Sequence, residues 1–138
     1  MLTITELEAA LEGDGTAEIL HAAWHAFDVA DRLASSIAFD GHSDEHQALL
    51  AETHADDGRS LLPHPGPGQR LPTPTSEEGT AWIAPYAALL RQANAALLRL
   101  ADLPDLTSVA AQLTCAAEEA DLCAHLLLTI RQDQGAPT

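Results

Sequence analysis

The chain has 138 residues, with 21 Asp and Glu against six Arg, no Lys and seven His, for a net charge of −15. Such a balance places nucleic acid and anionic membranes last among partners, because binding them relies on Lys and Arg displacing counterions. Hydrophobic content of 46% with aromatic content of 4% implies one packed domain over residues 1–138, its core built mainly from Leu, Ala, Ile and Val and needing no disulfide staples.

Thr5 followed by Glu8 has the spacing of a capping box, and Gly13 with Asp14-Gly15 is a helix stop, so residues 6–12 read as a short helix with an apolar edge at Leu7 and Leu11. From Thr16 to Phe39 the pattern is helical and apolar on most sides: Ile19, Leu20, Ala23, Trp24, Phe27, Ala30, Leu33 and Ile37 leave a narrow polar stripe. This is the expected central helix, and its apolar surface exceeds what one bundle interior needs, which points to a homodimer. A turn at Asp40-Gly41-His42 leads to Ser43, a good N-cap for a third helix running to about Leu62.

Residues 63–75 hold five of the eight prolines and read as an extended connection without helix or sheet. Thr75 with Glu78 has capping-box spacing again, and Trp82, Tyr86, Leu89, Ala93, Leu97 and Leu100 keep one helical face as far as Asp102. The face continues through Pro85, which predicts a kinked helix; the alternative is a helix starting near Ala84 with Pro85 in its first turn and a separate turn over 76–83. After Leu103-Pro104-Asp105, the positions Val109, Leu113, Ala116, Ala120, Cys123, Leu127 and Ile130 form the seam of a last helix reaching about Arg131. The expected fold is therefore all-α: a four-helix bundle with a short additional N-terminal helix and a proline-rich connection between the third and fourth helices.

Three groups of polar residues sit where chemistry could be done. His21, His25, Asp28, Arg32 and Ser35 share one stripe of the central helix, so His21, His25 and Asp28 could present three metal ligands on one face. A solvated stripe with an Asp28–Arg32 pair accounts for the same residues. Glu118, Asp121 and His125 share a stripe of the last helix and could complete a mono- or dinuclear site if they face the first group, or else form an exposed acidic patch. His46 and His54 place titratable groups on or beside the apolar stripe of the third helix, at the rim of a possible pocket, and Trp24, Phe27, Trp82 and Tyr86 could line such a pocket or simply pack. The layout is similar to that of small His-bearing four-helix bundles of the hemerythrin-like and DinB-like kinds, although neither family's full ligand pattern can be laid on these positions.

No Gly-x-Ser-x-Gly, Walker loop, GxGxxG, CxxC or HExxH occurs. Cys115 and Cys123 lie eight apart on one expected helix, about 12 Å between Cα atoms, too far for a disulfide. The N-terminal residues lack the basic and apolar regions of a secretory signal, and no run approaches the roughly 18 apolar residues that span a bilayer, so a cytoplasmic protein is expected. The acids are uneven, with thirteen against two Arg in residues 1–69 and eight against four Arg in 70–138. These features favour a non-catalytic regulatory or accessory protein, acting as a homodimer or on a partner with a basic surface and needing no cofactor. The alternative is a metal-binding bundle protein or metalloenzyme holding a divalent ion such as Fe, Mn or Zn.

Overall fold

The computed structural model describes residues 2–40, 45–66, 68–74 and 81–130. Five α-helices account for most of them: α1 (Ile4–Glu12), α2 (Thr16–Asp40), α3 (Glu45–Ser60), α4 (Ala84–Ala101) and α5 (Ala110–Leu128). Single stretches of 3₁₀ helix, Ala81–Ile83 and Pro104–Val109, lead into α4 and α5, and no strand occurs among the described residues. The chain is all-α. No helix among the described residues is long and apolar enough to cross a membrane.

Helix α1 starts earlier than the Thr5/Glu8 spacing implied. Thr3 is the N-cap, its Oγ1 accepting from the Glu6 backbone N–H at 3.1 Å. The same T-x-x-E spacing occurs at Thr3/Glu6, and beginning there brings Ile4 against the core, which decides between the two. At the other end, Arg99 of α4 donates to the carbonyls of Leu11 at 2.6 Å and Gly13 at 3.3 Å, placing a cation where the α1 dipole is negative.

Helix α2 is central. Ile19, Ala22, Ala23, Trp24, Ala26, Phe27, Val29, Ala30, Leu33, Ala34 and Ile37 are all buried within the single chain, covered by α3, α4 and α1. The surplus apolar surface expected of this helix is thus absorbed by its own neighbours. Around α2 the packing is cyclic: α2 on α3, α3 on α5, α5 on α4 and α4 back on α2, with α1 laid against α2 and α4, while α2 and α5 meet at few points.

Helix α3 buries only small residues. Its buried positions are Ala48, Ala51, Ala55 and Gly58, so the two axes come close enough for the Phe27 ring of α2 to lie over Gly58. A β-carbon at Gly58 would overlap that ring. Ser35 of α2 donates to Glu52 of α3 across the same contact.

Helix α4 begins at Ala84 with Pro85 in its first turn, so the kinked helix through Pro85 does not form and the alternative start does. Proline at this position loses no hydrogen bond, since the first N–H groups of a helix have no partner in any case. The seam of α5 is buried at Leu113, Ala116, Ala120, Cys123 and Leu127, and Ile130 beyond it is buried too. Val109 is exposed, because it belongs to the 3₁₀ stretch where the α-helical period does not apply. Between α3 and α4, residues 63–66 and 68–74 form no helix or strand, and Leu71 and Pro74 bury themselves against the helices. The expected caps at Ser43, Thr75 and Glu78 lie outside the described residues.

Candidate functional site

The polar stripe of α2 turns out to be a charge cluster. Asp28 is buried and accepts from Arg32 Nη2 at 2.9 Å, one helical turn on, and from Arg59 Nη1 of α3 at 3.1 Å. Arg70 Nη1 approaches the same carboxylate at 3.9 Å from the connection before α4. Arg59 also reaches Asp31 at 2.9 Å and Asp56 at 2.8 Å. Burial opposes the Arg59 charge, but its hydrogen bond to the Asp56 carboxylate and the fields of Asp31 and Asp28 outweigh it and raise the guanidinium above its usual range. Burial, with Glu52 and Asp56 adding to it, pushes the Asp31 carboxyl up against the pull of Arg59.

Three arginines here meet three carboxylates, so the cluster is close to electrically balanced and exerts little net attraction on an outside ion. Its mechanical consequence is clear. Arg32 Nη1 donates to Thr73 Oγ1 at 3.0 Å, and together with Arg70 it fastens the proline-rich connection onto α2.

His25 adjoins this cluster. Its Nε2 lies 2.9 Å from Nε2 of His21, with the rings stacked, and its Nδ1 is buried without a hydrogen-bond partner. The arrangement that leaves no buried N–H unsatisfied has His25 donating from Nε2 to His21 and keeping a bare Nδ1. Burial, then the His21, Arg70 and Arg32 charges, lower its pKa from the ordinary 6.5 to about 4, with Asp28 opposing. His25 is therefore neutral near pH 7.

The structure brings the two imidazole nitrogens together as a chelating pair would be, while Asp28 is held by guanidinium groups. Glu118, Asp121 and His125 are exposed on α5, a helix that barely touches α2, and do not join them. Of the aromatic and histidine positions expected to line a pocket, Trp24 borders an open recess of about 280 Å³ with Arg59, Ser60, Leu62 and His64. Arg59 and Arg70 lie over its indole at 5.9 and 5.3 Å, and the His64 ring meets it edge-on. Phe27 is fully buried over Gly58, His46 is exposed, and Trp82, in the 3₁₀ stretch before α4, and Tyr86, in the first turn of α4, are half-buried. His54 lies on the contact between α3 and α5.

That contact has a distinctive chemistry. Down its length, Gln47 donates to Leu126 O and to Thr129, Cys123 Sγ donates to Ala51 O at 3.4 Å, His54 Nδ1 pairs with Glu119 Oε2 at 2.7 Å, and Gln112 donates to Leu61 O. Asp57, close to one turn beyond His54, brings a third ligand-type group: one donor atom each of His54, Asp57 and Glu119 lies within 4.8 Å of the others. Burial, with Asp31 and Glu119 adding to it, pushes the Cys123 thiol up to about 12.

Stripe spacing alone selects Glu118 and misses Glu119. The signal for Glu119 is its position directly before Ala120 in the seam, flanking the contact rather than pointing away from it.

The outer side of the contact is apolar and acidic. Leu50 lies one turn before His54 and Leu122 one turn after Glu119, and helical spacing therefore puts both beside the contact, where both are exposed, as is Leu49. Glu45, Asp56, Asp57, Glu118 and Asp121 are exposed on the same two helices. α5 carries no Lys or Arg, and the one arginine of α3 is Arg59, already engaged by three carboxylates.

No protein-family model, no curated protein and no solved structure matches this chain.

Proposed function

We propose that this protein is a non-catalytic regulatory or accessory protein, a four-helix bundle of α2–α5 with α1 as an addition, that binds a basic partner through the outer face of α3 and α5. The observation that carries the reading is that α3 and α5 expose Leu49, Leu50 and Leu122 together with Asp57, Glu118 and Asp121, acids that no arginine among the described residues pairs with. Leucines supply the area whose removal from water drives association, and the acids select a Lys- and Arg-rich occupant and reject nucleic acid. The occupant we assign is an amphipathic basic helix, which offers apolar anchors at i, i+3, i+4 and i+7 between its cations.

A second copy of the same chain is a poorer fit for this face, because pairing it with itself would oppose acid to acid. With α2 covered inside the chain, self-association is left to the scattered leucines, such as Leu98 of α4.

Isothermal titration with a designed Leu/Lys amphipathic helix tests the proposal. Binding that survives physiological salt and weakens about tenfold or more in Leu50→Ser and Leu122→Ser, but not in Leu98→Ser, is the expected result. Binding that vanishes at that salt, or that ignores the α3 and α5 leucines, would show only the nonspecific attraction of an acidic protein for a basic peptide.

A further inference from the structure

We infer that His54, Asp57 and Glu119 form a binding site for a borderline divalent cation of the zinc class, clamping α3 to α5. The three side chains come from two helices, and their ligand atoms are within 4.8 Å of one another. The imidazole and the Glu119 carboxylate are already in contact at 2.7 Å, so a cation need only separate that pair slightly and draw Asp57 in. Asp57 is exposed, and the His54 and Glu119 side chains keep 29% and 22% of their surface accessible, which leaves them free to make that adjustment and leaves the ion a path from solvent.

The donor set decides the class of ion. One imidazole nitrogen and two carboxylates with no thiolate suit Zn²⁺ or its neighbours in the first transition row. Ca²⁺ and Mg²⁺ take oxygen ligands and have little use for the imidazole. The electrostatics favour a cation as well: two carboxylates stand close together, and no arginine among the described residues pairs with either. Three protein ligands leave at least one coordination position open, for water or for a donor brought by a partner.

This site is independent of the docking reading, since it requires no partner. It is distinct from the His21/His25 pair, which offers two nitrogens without an available third ligand among the described residues. That pair is also the natural competitor for added metal.

The test is equilibrium dialysis against Zn²⁺ with thermal melting of the same samples, on the wild type and on Asp57→Asn, Glu119→Gln, His54→Ala and His21→Ala. We expect one Zn²⁺ per chain at this site, a melting temperature raised by Zn²⁺ and restored by chelator, and affinity lost by about tenfold or more in the first three variants but kept in His21→Ala. Asp57→Asn changes an exposed residue and leaves the fold intact, so its result stands even if His54→Ala destabilises the helix pair. An effect that follows His21, an equal response to Ca²⁺, or no stabilisation by Zn²⁺ would each overturn the assignment.

Discussion

Acidification should weaken this fold through His25. It is buried with Nδ1 unpartnered, and its pKa is held at about 4 against an ordinary 6.5. Between those values the unfolded chain binds a proton that the folded chain refuses, so stability rises with pH across the window. The penalty is absent above pH 6.5, grows as pH falls and is complete below about pH 4. At about 1.4 kcal/mol per pKa unit, the whole effect is on the order of 3 kcal/mol, a large share of the stability of a domain this size. The raised pKa of Asp31 acts in the opposite sense, the folded state taking up its proton first, over a window that begins at its ordinary 3.8 and extends upward. Comparing wild type with His25→Gln, which cannot titrate, cancels that contribution. Urea unfolding midpoints from about pH 7.5 to about pH 4.5 should show the wild type losing on the order of 2–3 kcal/mol more than the variant. Equal losses in the two proteins would mean that His25 takes up a proton in the fold as readily as out of it, the opposite of the behaviour its burial requires.

Other consequences can be measured directly. Gly58→Ala gains roughly 1 kcal/mol of helix propensity but drives a methyl into the Phe27 ring, so a net loss of about 1–2 kcal/mol is expected in chemical denaturation. Asp28→Ala strips the buried carboxylate from Arg32 and Arg59. A cost of about 2–3 kcal/mol, less than for a fully buried pair because both arginines are about a quarter exposed, should come with faster proteolysis near residues 70–73. A maleimide reagent should label exposed Cys115 at neutral pH and leave Cys123 untouched until the protein unfolds, since the latter is fully buried and its thiol is pushed up to about 12.

Hydrophobic spacing is enough to read the helices of this chain. The α2 pattern translates directly into burial, as does the α5 seam from Leu113 to Ile130, because a residue repeating every three or four positions has one way to reach a core. Helix starts are harder. Two overlapping T-x-x-E spacings compete at the N-terminus, and the chain uses the one that packs Ile4 against the core; Pro85 fits either a kink or a first turn, and it takes the latter. The sites are least legible, since they depend on which helices are neighbours. His21 and His25 meet because they are one turn apart on one helix, which sequence can state. Arg59 and Arg70 reach Asp28 across 31 and 42 residues, and Glu119 rather than Glu118 meets His54, through inter-helix register that no local pattern encodes.

The docking role stands or falls with α3 and α5 forming a single face for a basic helix. Backbone amide chemical shifts, followed while a Leu/Lys amphipathic helix is added at physiological salt, decide it residue by residue. Saturable changes concentrated at Leu49, Leu50, His54, Glu118 and Leu122, with α1 and the α2 charge cluster unmoved, are expected. Changes centred on the Trp24 recess or on α1 and α4, or a uniform drift without saturation, would rule the shared face out.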